Sequence, residues 1–320
     1  MVKLSPLCHV QDAHRGEIWC CAFARDGITA LTGGADETAR VWSVGDEVER
    51  DASSRIAALA HQRTFTEYTL GCVSMDCDAN SRWCATVSMD GAVRCVDVCT
   101  GTTTTVSSEG PGRAWGVAFD RTPGRSRLAV AGGLLSAVEV YEIDDDGRGE
   151  KKATLELPEP SAERFARSVA YAPDGSLIAC GAMDGTVAIF DTNTGTCLHT
   201  LEGHGRPVRD VTFSPDGKTA YTACDDGYCH IYDARNRSLI DALAGHNSWV
   251  VAVTASPSSN AIVTASSDCT LKLWDLSQTR SCAQTMSDHL ACVWGARFSP
   301  QGDLLLAVSA DASVSLFNFV

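Results

Sequence analysis

The stretch GHNSWVVAVTASPSSNAIVTASSDCTLKLWD, residues 245–275, carries the pattern that decides the fold. Its marked positions are His246, Thr264, Asp268 and Trp274. Relative to the aspartate, the histidine lies 22 residues earlier, the threonine four residues earlier and the tryptophan six residues later. Offsets of this kind become informative when they recur, because a sequence repeat of fixed length is the signature of a repeat architecture.

The pattern does recur, and it divides the chain into seven related units. The anchor position is occupied by Asp36, Asp90, Leu135, Asp184, Asp226, Asp268 and Asp311. The residues six positions later are Trp42, Val96, Tyr141, Phe190, Tyr232, Trp274 and Phe317. Histidines 22 residues before an anchor are His14, His204, His246 and His289, and threonines four residues before one are Thr32, Thr86, Thr222 and Thr264. Successive anchors lie 42 or 43 residues apart in the C-terminal half and 45 to 54 elsewhere.

These offsets, at about 40–45 residues a unit, are the marks of the WD repeat, in which each unit forms a four-stranded blade. Between the anchors, runs such as residues 185–190 and 208–213 alternate and favour branched side chains, and turn sequences such as Ser-Pro-Asp-Gly at 214–217 separate them. No segment has a sustained apolar period of 3.6 residues. The sequence therefore predicts an all-β fold, a seven-bladed WD-repeat β-propeller, with residues 1–320 as a single domain.

The two ends of the chain are expected to meet in one blade. The last unit shows only three strand-like segments, near residues 293–299, 304–310 and 313–319. Residues 7–11 precede His14 as the outer strand of other units precedes its Gly-His pair. Since an open blade edge would expose unpaired N–H and C=O groups, we expect the N-terminal strand to join the last blade and close the ring.

The overall charge limits the classes of partner that the chain is expected to bind. The formal net charge is −14 and the sequence pI is about 4.9. Broad phosphate binding needs clustered Lys and Arg, so direct nucleic-acid binding is not expected, and anionic membrane surfaces should repel the chain. Residues 1–10 have no signal-peptide pattern, and the longest apolar runs, such as 304–308, are too short to cross a bilayer.

The fifteen cysteines are scattered and form no C-x-x-C pair. Most stand where a small apolar strand residue would stand, as at Cys20, Cys21, Cys84, Cys180 and Cys224. Reduced core cysteines of this kind favour a cytosolic or nuclear protein over a disulfide framework or a metal site.

The recurring polar positions are expected to form a buried hydrogen-bond network in each blade. A catalytic triad is the alternative, but a catalytic set occurs once, whereas this set occurs in four units. The predicted network residues are His14, Thr32, Asp36, Trp42, His204, Thr222, Asp226, Tyr232, His246, Thr264, Asp268, Trp274, His289 and Asp311. Nucleotide-binding, metalloprotease and calcium-loop motifs are absent, so we expect a non-catalytic protein with no cofactor and no metal.

One aligned position is expected to bind partners. Four residues before the aromatic that ends the first strand, the seven units carry Trp19, Gly71, Trp115, Arg167, Arg209, Val251 and Trp294. These residues begin the innermost strands, so they should ring one mouth of the central channel, the top face. Trp and Arg most often carry interface energy. Trp249 belongs to the same predicted site, and Phe165 and Arg206 could extend it. The alternative is that the Trp rings pack between blades.

Two long loops are expected after the third strand of a blade, at residues 44–55 and 144–152. Both are charged and polar. Such segments are more often solvated insertions than binding loops.

Beyond the repeat itself, several segments resemble a particular family. They are SVAYAPDG at 168–175, AMDGT at 182–186, LHTLEGH at 198–204, and the Gly-His to Trp-Asp unit at 245–275. Together with Ile18-Trp19 and Val293-Trp294-Gly295, they resemble the small WD-repeat subunit of the superkiller (Ski) complex, a family also tied to the Paf-type RNA polymerase II-associated complex. The resemblance covers nearly the whole chain and is weakest over 43–110.

This resemblance implies a scaffold role. Members of the family look like adaptors that hold a tetratricopeptide-repeat scaffold protein beside an RNA helicase, in an assembly that feeds messenger RNA to the exosome for 3′-to-5′ decay. A nuclear pool looks linked to transcription elongation. The resemblance therefore implies a cytoplasmic and nuclear, monomeric propeller that binds partners through its top face.

Two other function classes remain open at this stage. Tyr232-Asp233-Ala234-Arg235 resembles the W-D-x-R box of propellers that dock on a cullin adaptor, which would make the chain a ubiquitin-ligase substrate receptor. An enzyme or a direct RNA binder is the third class, and the charge balance and missing motifs disfavour it.

Overall fold

The computed structural model describes residues 2–48, 55–108, 110–132, 136–159, 164–277 and 280–320. Within these ranges every helix or strand is a β-strand, which confirms the predicted all-β class. They also include no helical segment with the length and hydropathy of a membrane span. Leu135, the non-acidic anchor of the third unit, lies outside the described residues.

The strands follow one another along the chain in groups of four. The first strand is β1 (Leu4–Val10). Blade 1 is β2 (Ile18–Phe23), β3 (Thr29–Gly34), β4 (Ala39–Val48) and β5 (Arg55–Phe65). Blade 2 is β6 (Cys72–Cys77), β7 (Trp83–Ser88), β8 (Ala92–Asp97) and β9 (Thr103–Ser108). Blade 3 is β10 (Gly116–Phe119), β11 (Arg127–Gly132), β12 (Ala137–Ile143) and β13 (Gly149–Glu156).

The remaining blades repeat this order. Blade 4 is β14 (Ala166–Tyr171), β15 (Leu177–Ala182), β16 (Val187–Asp191) and β17 (Cys197–Leu201). Blade 5 is β18 (Val208–Phe213), β19 (Thr219–Cys224), β20 (Tyr228–Asp233) and β21 (Ser238–Ala244). Blade 6 is β22 (Val250–Ala255), β23 (Ala261–Ser266), β24 (Leu271–Asp275) and β25 (Ser281–Met286). Blade 7 contains β26 (Val293–Phe298), β27 (Leu304–Ser309) and β28 (Val314–Phe319).

Among the described residues these strands form seven four-stranded sheets, so the seven-bladed propeller is confirmed. The seventh sheet has the order β1-β28-β27-β26, in which β1 pairs antiparallel with β28. The N-terminal strand therefore closes the ring, as predicted, although it begins at Leu4 rather than at residue 7. The Gln284 side chain of blade 6 adds to the closure, because it bonds both the N–H and the C=O of Leu4 at 2.9 Å.

The core lies between neighbouring blades. The second strand of a blade is covered on both faces, and β7, β15 and β23 are buried at every residue. Such strands need small or branched side chains on both sides, because the next sheet packs only about 10 Å away. Cys84, Cys180 and Cys224 occupy such positions, whereas Cys20 and Cys21 lie in the innermost strand β2, and all five are buried free thiols, as predicted.

The first predicted loop, residues 44–55, is strand instead at the positions that the structure describes. β4 runs to Val48 and β5 begins at Arg55, and the two strands stay paired to these ends. Antiparallel pairing continues because it satisfies the backbone groups of the inserted residues. Residues 49–54 lie outside the described part of the chain.

The second predicted loop, residues 144–152, is also shorter than expected. A turn from Asp144 to Arg148 is closed by backbone hydrogen bonds, and β13 begins at the next residue. The Asp144 carboxylate caps the turn by accepting from the Arg148 N–H at 2.8 Å. The insertion therefore lengthens a hairpin at the outer edge of blade 3.

A β-bulge recurs in the innermost strand. In β2, β6, β14, β18, β22 and β26 the register with the second strand shifts by one residue near the start of the strand. The extra residues are Trp19, Val73, Arg167, Arg209, Val251 and Trp294. A bulge bends the strand and changes the direction of one side chain, so each of these six strands presents its bulge residue at the same level of the ring.

The closing strand supplies the first prediction. Leu4 is 1% exposed and packs in the cluster of Phe317 and Phe319. Leu4→Ala should lower the free energy of unfolding by about 2–5 kcal/mol, because it leaves a cavity at the seam of the ring. Urea denaturation measures this. The neighbouring exposed residue supplies the control, since Lys3→Ala should change stability by no more than about 0.5 kcal/mol. Equal stability of both variants would show that β1 does not hold the ring closed.

Candidate functional site

Blade 1 contains a complete hydrogen-bond network of the predicted composition. His14 Nδ1 lies 2.9 Å from the Asp36 carboxylate, and its Nε2 lies 2.8 Å from the Thr32 hydroxyl. The Trp42 indole N–H donates to the same hydroxyl oxygen at 2.8 Å. The donors run in one direction, from indole to hydroxyl to imidazole to carboxylate. The Asp36 carboxylate fixes the tautomer, because it can only accept, so Nδ1 carries the hydrogen and Nε2 accepts from the threonine hydroxyl.

Blade 6 repeats this network almost without change. His246 lies 2.9 Å from Asp268 and 2.7 Å from Thr264, and the Trp274 indole donates to Thr264 at 2.9 Å. Blades 1 and 6 thus carry the same three contacts among four equivalent residues. A repeated buried network of this kind joins the strands of a blade.

Blade 5 departs from the prediction at its aromatic residue. His204 contacts Asp226 at 2.6 Å and Thr222 at 2.7 Å. Tyr232 does not reach the threonine, because its hydroxyl donates to the backbone oxygen of Glu202 at 3.1 Å instead. A phenol places its polar atom at the end of the ring, whereas an indole carries N–H along its side, and this difference explains the missing contact between the aromatic residue and the threonine.

Blade 7 departs at the threonine. The position four residues before Asp311 is Ala307, so the threonine hydroxyl is missing, and His289 Nε2 is buried without a hydrogen-bond partner among the described residues. Its Nδ1 lies 2.9 Å from the Ser313 hydroxyl and 3.5 Å from the Asp311 carboxylate. The network of the closing blade is therefore the least complete of the four.

The electrostatics of the networks favour neutral histidines. Burial lowers the pKa of His14, His246 and His289 below the ordinary value of 6.5. Burial alone would raise the pKa of Asp36 and Asp268, but the hydrogen bonds that these carboxylates accept lower it to about 2. The networks of blades 1, 6 and 7 thus hold a neutral imidazole near a carboxylate at neutral pH.

One cluster in blade 5 has residue types that could bind a metal. His204, Asp226 and His230 each offer a ligand atom within 4.8 Å of the others. The two imidazole rings, however, are stacked with centroids 3.7 Å apart and an interplanar angle of 11°. Lone pairs lie in the ring planes, so those of parallel stacked rings do not converge on one point. Both nitrogens of His204 are also engaged in hydrogen bonds. The cluster therefore fits a structural network better than a metal centre.

The innermost strands surround a central channel of about 770 Å³. The residues at its mouth, called the rim below, are Trp19, Val73, Trp115, Arg167, Arg209, Val251 and Trp294. The structure therefore brings together five of the six predicted top-face residues. The sixth, Trp249, lies beside the rim and is 45% exposed.

Blade 2 corrects the prediction that Gly71 belongs to the rim. The bulge of β6 falls at Val73, two residues later, because blade 2 lacks the aromatic residue on which the alignment depended. Gly71 instead adopts φ +92° beneath Trp19, where an added Cβ would lie 2.6 Å from the indole ring. Only glycine fits this backbone conformation and this close approach.

The rim tryptophans of blades 1 and 7 share one acceptor. The exposed Glu17 carboxylate accepts from the Trp19 indole at 3.0 Å and from the Trp294 indole at 3.2 Å, through the same oxygen. Both rings are half-buried. They are thus held edge-on by one carboxylate while part of each surface stays open to solvent, so they are not simply packed between blades.

The rim arginines each lie over a tryptophan. The Arg167 guanidinium is 5.1 Å from the centre of the Trp115 ring, and that of Arg209 is 5.2 Å from Trp249. Arg209 also forms a two-pronged ion pair with Asp225, at 2.7 Å for both contacts. These cation–π pairs hold flat, amphipathic side chains in place, which lowers the entropy cost of binding a partner.

Charged residues inside the channel were missed by sequence reasoning. Arg297 of blade 7 reaches across to Asp210 of blade 5 with contacts of 2.9 and 3.4 Å. Arg121 of blade 3 pairs with Asp76 of blade 2 at 2.9 Å. Despite its burial, the pKa of Arg297 is raised above the ordinary value, mainly by Asp210. The sequence did contain one signal for these residues, which is a charged residue within the alternating apolar pattern of an innermost strand, such as the aspartate in VRDVTF at 208–213.

Apolar side chains are exposed around the rim. Leu290 is 88% exposed in the loop before β26, and Leu70 is 55% exposed in the loop before β6. Met183 and Tyr228, in the turns between second and third strands, are also partly exposed. Exposed apolar groups around Trp and Arg anchors are typical of a protein-binding face.

Comparison with family models gives two matches. The model described as WD domain, G-beta repeat matches residues 5–43, 60–97, 195–233, 237–275 and 280–318. A model of the Anaphase-promoting complex subunit 4 WD40 domain matches residues 139–206. The repeat matches leave out 98–194, the region of the unit whose anchor is leucine.

Several curated proteins are similar to this chain. It is 36% identical over 221 residues to WD repeat-containing protein VIP3 of Arabidopsis thaliana, a match that covers 65% of this chain and 64% of the relative. It is 31% identical over 209 residues to WD repeat-containing protein SL1-17 of Schistosoma mansoni, covering 64% and 62%. A shorter match, 31% over 102 residues, covers 32% of this chain and 30% of Superkiller complex protein 8 of Dictyostelium discoideum. The chain thus spans somewhat less than two thirds of the first two relatives.

The complete network of blade 6 supplies the second prediction. Asp268 accepts hydrogen bonds from His246, from the Thr270 hydroxyl and from the Asn247 N–H. Asp268→Ala should lower the free energy of unfolding by about 2–4 kcal/mol, because these donors, two of them partly buried, lose a charged acceptor. Thermal and urea denaturation measure the loss. Asp275→Ala is the matched control, since its carboxylate caps only the adjacent turn. A loss no larger than that of the control would contradict the structural role.

The third prediction concerns pH. The unfolded chain protonates its histidines near pH 6.5, while the folded chain keeps His14, His246 and His289 neutral to a lower pH. The unfolded state then binds more protons as the pH falls, so the free energy of unfolding should decrease between pH 7.5 and 5. Below pH 4, protonation of the low-pKa aspartates Asp36 and Asp268 adds to the loss.

Urea denaturation at several pH values measures this dependence. The His246→Gln variant should be less stable at pH 7.5 but should lose less on acidification, because one titrating group is gone. A stability that is flat from pH 7.5 to 5, or that rises, would contradict the neutral-histidine assignment.

Proposed function

The chain belongs to the WD domain, G-beta repeat family, and from that premise we propose that it is a scaffold subunit of a superkiller-type complex. The observation that carries the scaffold role is the rim, where bulges in the innermost strands present Trp and Arg side chains at one mouth of the ring. A rigid ring with several anchors on one face suits the holding of other proteins.

The geometry of the rim supports protein binding in particular. Trp19, Trp249 and Trp294 are each fixed by a hydrogen bond or a cation–π contact, yet each keeps solvent-accessible surface. Preorganised aromatic anchors lose little side-chain entropy when a partner binds. Leu290 and Leu70 add apolar area that a partner would remove from water.

The polar networks support a non-catalytic role. Histidines that contact carboxylates recur in several blades and lie between strands rather than in the channel. The networks account for the His and Asp residues as parts of the blades. We therefore propose that the protein contributes binding surface and no chemistry of its own.

The choice of complex is supported by similarity. One relative is named Superkiller complex protein 8, and the segments at 168–275 resemble the small WD-repeat subunit of that complex. On this proposal the partners are a tetratricopeptide-repeat scaffold protein and an RNA helicase, and the assembly supports exosome-mediated decay of messenger RNA. Subunits of the Paf-type complex are the proposed nuclear partners, which places the protein in both cytoplasm and nucleus.

Direct RNA binding is not part of the proposal. Of the five arginines that line the channel, Arg121, Arg209 and Arg297 are each paired with an aspartate. A net charge of −14 adds long-range repulsion of a phosphate backbone. The proposed route to RNA is through the helicase partner.

The cullin-receptor alternative depends on residues 232–235 alone. Tyr232 is buried within blade 5, and Arg235 is exposed in the turn that follows β20. This side chain lies at the outer part of the opposite face from the rim. The two functions would therefore use different surfaces, and one experiment can separate them.

The fourth prediction is the test of this function. The tagged full-length chain should recover a tetratricopeptide-repeat protein and an RNA helicase from its native cells, as identified by mass spectrometry. The Trp249→Ala/Trp294→Ala double variant should lose at least about 90% of this recovery, because it removes two anchors from one face. Its melting temperature should stay close to that of the wild type, since both rings are partly exposed.

Leu239→Ala is the matched control, because Leu239 is 47% exposed on the outer strand β21, away from the rim. It should recover the partners normally. Recovery of a cullin adaptor, lost on Arg235→Ala but not in the rim variant, would replace the scaffold proposal with the ubiquitin-ligase function. Equal recovery by the rim variant and the wild type would show that the rim is not the binding face.

A further inference from the structure

The two rim arginines occupy equivalent positions in adjacent blades, but their surroundings differ. Both are bulge residues, and both lie over a tryptophan at about the same distance, 5.1 Å for Arg167 and 5.2 Å for Arg209. Arg209 is neutralised by its two contacts with Asp225. Within the described parts of the chain, no carboxylate or carbonyl accepts a hydrogen bond from the Arg167 guanidinium, and its Nε is buried without a partner.

The cause is a single residue in the turn between the second and third strands. The N–H of Asp225 bonds the backbone oxygen two residues before Arg209, at 3.0 Å, and the N–H of Met183 bonds the oxygen two residues before Arg167, at 2.9 Å. The two turns therefore share this backbone hydrogen bond, which makes Met183 the equivalent of Asp225. Where blade 5 carries the counter-ion, blade 4 carries a thioether, which cannot neutralise a guanidinium.

A second unused donor lies beside the first. The indole N–H of Trp115 is buried without an acceptor among the described residues. The Phe165 ring packs edge-on against Trp115, with centroids 5.9 Å apart, and covers one side of this pair. Gly116 allows the two blades to approach, because an added Cβ would lie 2.8 Å from the Arg167 backbone oxygen. Two adjacent buried donors without acceptors are costly unless a ligand supplies the acceptor.

We propose that Arg167 and Trp115 form an anion subsite at the mouth of the channel, which takes a carboxylate of the docked partner. The carboxylate is an Asp or Glu side chain or a chain terminus, and it serves Arg167 as the counter-ion that Asp225 provides for Arg209 in blade 5. The identity of the ligand as part of a partner rests on the proposed scaffold function. The affinity of the anion subsite for a carboxylate does not rest on that function.

The chemistry favours a monoanion. A guanidinium presents two parallel N–H groups that match the two oxygens of a carboxylate, and the indole adds a third donor. One unpaired positive charge balances one negative charge, since the neighbouring Arg209 is already neutralised by Asp225. A phosphate dianion would bring a second charge close to that carboxylate. Burial, and then the proximity of Arg209, also lowers the pKa of Arg167 to about 10, and a bound anion would reverse this effect.

The fifth prediction tests the pocket without any partner. Acetate is titrated into the full-length protein against sodium chloride at constant ionic strength, and the indole N–H resonance of Trp115 is followed by NMR. Its assignment comes from Trp115→Phe. Acetate should shift this resonance saturably, whereas acetamide, which has the same shape without the charge, should not. No saturable shift with acetate would overturn the proposal, and so would tighter binding of inorganic phosphate than of acetate.

Substitutions at two residues give the test its specificity. Arg167→Met and Met183→Asp should both abolish the acetate response, the first by removing the guanidinium and the second by supplying the internal counter-ion that blade 5 has. Both should leave the melting temperature unchanged or raise it, because an unpaired buried cation is removed or neutralised. Met183→Leu is the matched control and should keep the response. A response retained in Met183→Asp would contradict the assigned position of the anion.

The partner experiment then separates the two proposals. If the wild type recovers its partners, Arg167→Met and Met183→Asp should each weaken their binding about tenfold or more, as measured with the purified partner. An acetate response with no recovered partner would overturn the proposed scaffold function, while the proposed anion subsite would stand. Partner binding that is equal in the wild type and both variants would overturn the role of the pocket in docking.

Discussion

The structure depends on one constraint, which is that a ring of sheets must have no first and no last member. Each blade buries both faces against its neighbours, so an unclosed ring would expose two sheet faces to water. The chain meets this constraint by pairing β1 with β28 in blade 7. The Gln284 side chain of blade 6 holds the added strand through hydrogen bonds to both backbone groups of Leu4. The ends of the sequence, more than 300 residues apart, thus become one sheet.

Closure fixes the positions of everything on the top face. Once seven blades are held in a ring, a bulge at the same place in an innermost strand brings its extra residue to the same level of the channel mouth. The buried networks serve the same end, because His14 and His246 tie the loop before an innermost strand to the second strand of its blade. Rigid loops are what allow side chains such as Trp294 to be presented without a large entropy cost on binding.

Variation among the blades is where function enters. The networks lose members in blade 5, where Tyr232 replaces the indole, and in blade 7, where Ala307 replaces the threonine. The rim varies more, from Val251 to Trp19 and Arg167. A position in a buried network accepts few types of side chain, whereas the side chain at a rim position is free to vary and to match a partner. The contrast between a paired and an unpaired arginine in adjacent blades is a small example of that freedom.

The sequence by itself determined the class of fold, the number of blades, the closing strand and the donors and acceptors of the blade 1 and blade 6 networks. These features follow from fixed offsets, because strand and turn lengths set them locally. Only the tertiary structure placed Gly71 under Trp19 instead of on the rim, since a bulge shifts register in a way that spacing does not reveal. It also decided the pairing of Asp210 with Arg297 and the missing partner of Arg167. Contacts across a channel or between blades join residues far apart in the chain, and no local pattern encodes their distance.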